Sequence, residues 1–222
     1  MVRHGQPLAR QRLRWLILAP HADDETLGAG ALIAQSASAG LFAGLIYLTD
    51  GSGSHADPVG NLVTVRKREA ATALRRLAGR EAPPPLYLGW KDAAPAQPGS
   101  RAFDRAAQTL AALCRRKRID ALAVTALHEP HCDHAAAARL AYAIQKCAKR
   151  GMIVAEYLVW SDAPAARSHR TLSTAPMLAG QRRHALSAHR SQLTPSHGPG
   201  FRLPMERRRM PTRDTLYLRK AP

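Results

Sequence analysis

Short apolar runs alternate with stretches of helical spacing along most of this chain. Leu13 to Ala19 (LRWLILA) is nearly continuous in apolar character and predicts a buried strand. Thr26 to Gly40 carries apolar residues at helical spacing and ends on a glycine. Leu41 to Thr49 (LFAGLIYLT) predicts a second strand, which runs into the turn-rich Asp50-Gly51-Ser52-Gly53-Ser54. Asn61 to Ala78 predicts a basic helix stopped by Gly79. Pro83, Pro84 and Pro85 lead into a short strand, Leu86 to Leu88. Ala102 to Lys117 then predicts a helix, Ile119 to Thr125 a strand, Ala135 to Arg150 a helix and Met152 to Val159 a strand. From about residue 161 the pattern loosens. Ser161 to Ala175 reads as loop, Gln181 to Arg190 as helix and Thr215 to Leu218 as a last strand, with prolines at 195, 199, 204 and 211 between them. No repeat or linker divides the chain, so residues 1–222 are expected to form one domain with a less regular C-terminal part.

Alternating strands and helices predict an α/β fold, a Rossmann-like, mostly parallel sheet flanked by helices. In such sheets ligands bind beyond the carboxyl ends of the strands. The polar clusters after Ala19, Thr49, Leu88 and Thr125 would then share one edge.

Composition narrows the class. A chain of 222 residues, 45% of them hydrophobic, can bury a substantial core and is not disordered in character. Cys114, Cys132 and Cys147 are too few and too unevenly spaced for a disulfide framework, which fits a reducing compartment. No apolar run is long enough to span a bilayer, and the charged start MVRHGQPLARQRLR is followed by no signal-peptide pattern. The expectation is a cytoplasmic protein, or one peripheral to the inner face of the membrane. The 33 Lys and Arg against 16 Asp and Glu give a net charge of +17. That excess favours nucleic acid, an anionic membrane surface or a phosphorylated substrate, or it is simply a solvated basic surface. An aromatic fraction of 5% offers few stacking platforms, and no zinc-finger spacing is present. No specific nucleic-acid partner is expected, although a non-catalytic basic nucleic-acid-binding module is the alternative to an enzyme.

Two clusters carry chemistry. One is Pro20-His21-Ala22-Asp23-Asp24-Glu25, the other His128-Glu129-Pro130-His131-Cys132-Asp133-His134, each between a strand and a helix. A catalytic zinc takes three ligands from His and carboxylates and keeps one position open. Hydrolysis also needs a carboxylate to take a proton from water and a donor at the oxyanion. A lone HxxD arises by chance, but two such clusters hold enough groups for every role. Cys132 is placed as a bystander rather than a soft ligand, and Glu25 as a local support of its loop.

These residues resemble the PIG-L/LmbE-like zinc-dependent N-acetylglucosaminyl deacetylases. The family's AHPDDE-x-LG-x-GG is matched by Pro20 to Ala31, and its HPDH by His131-Cys132-Asp133-His134. A late K-x-x-A-x-x-x-H-x-SQ resembles Arg182 to Gln192, and Arg66 to Glu69 resembles an R-x-x-E helix start. The resemblance implies zinc, or another divalent metal, on His21, Asp24 and His134. It implies Asp23 as general base, and His131, held by Asp133, as oxyanion donor and acid to the leaving amine. Arg66 and Asp92 would contact the sugar, Arg66 having a solvated helix face as its alternative. The substrate implied is a small-molecule or lipid-linked aminosugar bearing an N-acetyl or other N-acyl group, with another aminosugar conjugate as the alternative. Ala22 and Cys132 stand where the family has proline, and Ala31 where it has a second glycine, which loosens the loops without removing a ligand.

Overall fold

Five parallel strands and their crossover helices build the half of the molecule that holds both clusters. The computed structural model of the protein describes residues 12–55 and 60–220; the first eleven residues of the charged start lie outside them. In chain order the elements are β1 (Trp15–Ala19), α1 (Asp24–Ser38), β2 (Phe42–Thr49), α2 (Leu62–Ala78), β3 (Leu86–Trp90), α3 (Arg101–Arg116), β4 (Ala121–Thr125), α4 (Cys132–Ala148), β5 (Ile153–Tyr157), β6 (His169–Ser173), α5 (Gln181–Leu186), α6 (Arg190–Leu193) and β7 (Thr215–Arg219). The sheet order is β3-β2-β1-β4-β5-β7-β6. Strands β1 to β5 pair in parallel, and β7 runs antiparallel to both β5 and β6. This is the expected α/β architecture.

Alternation along β1 shows why the sheet is covered on both faces. Trp15, Ile17 and Ala19 join Leu27 and Leu32 of α1, Leu74 and Leu77 of α2 and Leu186 of α5. Leu16 and Leu18 face the other way, onto Phe103 and Leu110 of α3 and Leu140 and Ile144 of α4. All five residues of β1 are buried, as a strand roofed on both sides requires.

Helix α1 is held unusually close to the sheet. A Cβ at Gly28 would lie 2.2 Å from the Tyr157 ring and 2.8 Å from the Leu158 carbonyl oxygen, so only glycine permits the approach. A buried ion pair clamps the same helix from behind. Arg182 donates to the carbonyls of Thr26 (2.8 Å) and Leu27 (2.9 Å) and pairs with Asp214. Asp214 in turn accepts the Leu32 N–H at 2.7 Å.

Three expectations are corrected. Residues 161–175 were expected as loop but contain β6. Its two inward residues, His169 and Leu172, are too few to signal a strand, and it exists by pairing with β7 at the sheet edge. The helix expected over Gln181–Arg190 is two short helices, broken at Ser187–His189 where His189 turns into the core. Helices α1 and α4 begin earlier than expected, at Asp24 and Cys132, so Asp24, Asp133 and His134 stand in first helical turns rather than in loops. Among the described residues, no helix is long and apolar enough to cross a membrane.

Candidate metal centre and active site

The strand order changes direction between β1 and β4, and there the carboxyl ends of a parallel sheet open a crevice. The His21–Glu25 cluster follows β1 and the His128–His134 cluster follows β4. Because these two strands are hydrogen-bonded neighbours, the clusters meet.

Their meeting point is one oxygen of Asp24. Its Oδ2 lies 3.2 Å from His21 Nδ1 and 3.3 Å from His134 Nε2, and it accepts the His21 N–H at 3.0 Å. One atom each from His21, Asp24 and His134 lies within 4.8 Å of the others, a spacing that could hold a metal ion. His21, His131 and Asp133 form a second group with the same spacing. The rings of the first group are backed by carboxylates. His21 Nε2 is 2.8 Å from Asp133 Oδ2, and His134 Nδ1 is 3.3 Å from Glu129 Oε2. A carboxylate behind each imidazole fixes the ring's tautomer and frees the other nitrogen to ligate. Two imidazoles and one carboxylate, each oriented from behind, therefore fit a divalent cation of the zinc type.

The electrostatics say the same thing. Burial alone would raise the Asp24 carboxyl, but His134 and His21 hold it well below the usual carboxylate range. Burial opposes charge on His21, yet Asp133 and Asp24 raise it to about 10. His134 is likewise raised to about 9 by Asp24 and Glu129 against its burial. Positive charge is what this constellation asks for. Cys132 is exposed and belongs to neither group.

Asp23 stands beside the triangle with a free carboxylate. Burial, reinforced by the charge of Asp24, pushes its carboxyl up to about 7. Its backbone is at φ 123°, ψ −31°, sparsely populated for any residue but glycine. Glu25 secures that conformation by accepting the Asp23 N–H at 3.0 Å and the Thr26 hydroxyl at 2.5 Å. Glu25 is fully buried, and its ion-pair partner is His189, equally buried, at 3.4 Å. The expected local support thus reaches across the fold to the α5–α6 junction.

His131 caps α4 and is the most open group of the centre, its side chain 42% exposed. Its Nδ1 accepts the Asp133 N–H at 3.2 Å, which leaves Nε2 as the donor. Burial and the charge of His21 lower its pKa, which favours the neutral ring. The Asp133 carboxylate turns chiefly elsewhere: it is 3.8 Å from His131 Nδ1 but takes His21 Nε2 at 2.8 Å and the Ala93 N–H at 2.9 Å. Asp133 thus contacts His131 through its backbone and His21 through its side chain.

His21, Asp23, Asp24, His131 and His134 line a pocket of about 180 Å³. Arg66 and Asp92 line it too. Arg66 is buried rather than solvated. Its Nη1 reaches the Gly51 carbonyl at 3.5 Å, and its buried Nε has no hydrogen-bond partner. Gly51, at φ 80°, leaves room for it, since a Cβ there would lie 2.4 Å from the guanidinium. Asp92 accepts the Gly53 N–H at 3.0 Å and keeps its buried Oδ1 unpartnered. Sequence reasoning gave no role to four further residues. Glu129 backs His134 and collects the N–H groups of Val159, Trp160 and Ser161, which shapes the pocket wall. Gln192 lines the pocket with an unpartnered buried oxygen, and Trp160 and Phe201 form its aromatic side. Gln192 lay within a motif already noticed; the aromatic pair had no local signal.

The model of the PIG-L family, described as GlcNAc-PI de-N-acetylase, matches residues 16–145. Among solved structures, the conserved protein TT1542 from Thermus thermophilus is 28% identical, with a TM-score of 0.59 over 81% of this chain and 80% of that one. The N,N'-diacetylchitobiose deacetylase from Pyrococcus horikoshii is 19% identical, with a TM-score of 0.66 over 86% and 74%. The A40926 pseudoaglycone deacetylase Dbv21 is 17% identical, with a TM-score of 0.65 over 95% and 98%. The last two likenesses show a shared fold. No curated protein sequence matches the chain.

Proposed function

Because the chain belongs to the PIG-L family, we propose that it is a metal-dependent hydrolase removing an N-acetyl or other N-acyl group from an N-acetylglucosamine-type sugar. The observation that carries this reading is the convergence of His21 and His134 on Asp24, with the free carboxyl of Asp23 in the same pocket. The deacetylases of the same fold support the reaction type. Zinc is the proposed ion, with another divalent metal as the alternative. Bound there, it would acidify water and polarise the acyl oxygen.

The chain's own residues supply the rest. Asp23, raised toward neutrality, accepts the proton of the attacking water. The Nε2–H of His131 donates to the oxygen on which negative charge grows. The proton that Asp23 takes from the water is the one the leaving nitrogen needs as the C–N bond breaks, while His131, its Nδ1 already accepting the Asp133 N–H, keeps to the oxyanion. Asp133 steadies His21. Arg66 and Asp92, each with an unpartnered buried atom in the pocket, take sugar hydroxyls. The sugar is a small molecule or is carried on a lipid. The proposal extends to a cytoplasmic setting, with three free cysteines in support.

Acetate release from a panel of N-acetylglucosaminyl compounds tests the reading. Zinc-loaded protein is expected to release acetate. Asp23→Asn is expected to retain metal while losing about 100- to 10,000-fold in turnover. Full activity in metal-stripped protein would sink the metal role, and no release from any compound would sink the deacetylase.

A further inference from the structure

Four large apolar side chains are exposed among the described residues: Leu86, Leu178, Phe201 and Met205. Two of them, Phe201 and Met205, fall within the ten residues Phe201 to Met210 (FRLPMERRRM), a stretch that begins at the pocket, which Phe201 lines. Phe201 is 39% exposed and Met205 70%. The same stretch carries Arg202, Arg207, Arg208 and Arg209 against one acid, Glu206.

The segment is anchored rather than loose. Phe201 N–H donates to Ser54 O at 3.0 Å, and Leu203 is buried, its N–H bonded to Gln192 O at 2.9 Å. Arg208 holds the Leu203 carbonyl at 2.8 Å. Arg207 lies over the Trp160 ring, 5.4 Å from its centroid, and Phe201 meets that ring edge-on at 6.3 Å. Fixed anchors therefore hold two apolar tips in the open, on a stretch whose Arg202 and Arg209 are also exposed.

Apolar tips among cations are the chemistry of an anionic lipid interface. The tips gain by leaving water for the headgroup–acyl boundary, and the arginines gain from lipid phosphates. We propose that residues 201–210 dock the pocket mouth onto an anionic bilayer, with Phe201 and Met205 entering the headgroup region and Arg202 and Arg209 facing the lipid phosphates. The purpose of such docking, access to a lipid-linked aminosugar, rests on the deacetylase reading; the docking itself does not.

The basic character of the whole chain provides the necessary control. Residues 115–118 (RRKR) are exposed where α3 leads into β4, at the sheet edge opposite the pocket. The full-length protein is co-sedimented with vesicles of phosphatidylcholine alone and of phosphatidylcholine mixed equally with phosphatidylglycerol. Arg202→Gln with Arg209→Gln is expected to weaken partitioning to the anionic vesicles about 30-fold. Phe201→Ser with Met205→Ser is expected to weaken it about 10-fold or more. Arg116→Gln with Arg118→Gln removes the same charge and is expected to change it less than about twofold, since that edge lies beyond the screening length of the docked surface. Thermal midpoints check that each variant is folded.

Equal losses from the two arginine pairs would show undirected attraction and overturn the proposal, as would an unchanged Phe201/Met205 variant. Competition by millimolar inorganic phosphate with no dependence on the apolar pair would reassign the arginines to a free anion. Loss of duplex-DNA binding without loss of vesicle binding in the Arg202/Arg209 variant would reassign them to nucleic acid. Vesicle binding without acetate release would overturn the enzymatic reading alone, and release without vesicle binding the docking alone.

Discussion

Asp23 is held in an uncommon backbone conformation next to a ligand position, and that strain, of order 1–3 kcal/mol, has to be held by its surroundings. The holding group is Glu25, and Glu25 is a buried carboxylate balanced by His189. Burial pulls the His189 pKa down, but Glu25 and Asp23 raise it overall, which favours positive charge on the ring beside Glu25. His189→Leu therefore removes the balancing charge without touching the pocket. The expected outcome is a fall of about 10- to 100-fold in kcat with KM and metal content nearly unchanged, read by steady-state kinetics beside metal analysis. A fall in metal content equal to the fall in kcat would mean that His189 supports the ligands rather than Asp23. Only part of this was legible residue by residue. The two His and carboxylate clusters stood out by residue type, and the family resemblance picked His21, Asp24 and His134 from them, whereas Glu25 and His189 are 164 positions apart and no local pattern joins them. Arg66 on a basic helix could equally have faced solvent; the fold buries it.

At the scale of elements, the centre depends on where helices begin. Asp24 opens α1, and His134 lies in the first turn of α4, so small shifts of either helix would separate the ligands. Gly28 sets how closely α1 lies on β5, and the Arg182–Asp214 pair locks α1 against β7. Removing one partner of a buried pair leaves the other charge uncompensated. Arg182→Met is expected to destabilise the fold by about 3–5 kcal/mol, measured as a lowered urea midpoint. Arg182→Met with Asp214→Leu is expected to recover a large part of that loss. Strand and helix order from β1 to β5 was legible because most of these elements repeat a full apolar period, and the short β3 follows three prolines. Strand β6 was not, since an edge strand with two buried residues owes its existence to its partner.

For the whole molecule, a metal ion would join two halves of the sheet, since His21 and Asp24 follow β1 and His134 follows β4. Anything that binds the native state alone raises its stability by mass action. Zinc at 100 times its dissociation constant is expected to add about 2.7 kcal/mol, seen as a raised thermal midpoint that chelation reverses. His134→Ala is expected to abolish the shift. An unchanged midpoint in the unaltered protein would argue that no tight cation site exists. The charge of +17 also reads differently in three dimensions. Along residues 201–210 arginines accompany exposed apolar groups, while residues 115–118 gather at the opposite edge, where helix C-termini favour cations.

The sequence by itself determined the alternation of strands and helices, the parallel sheet and the identity of the groups able to hold a cation. Those properties are carried by local periodicity and by side-chain chemistry, which a linear chain displays. The tertiary structure alone decided that β1 and β4 are neighbours and that three donors converge on a single region. It also decided that Asp133 and Glu129 stand behind the imidazoles, and that Arg66 faces inward. Each of these is a contact between distant positions, fixed by packing on two faces of one sheet, and the chain states such contacts only once it is folded.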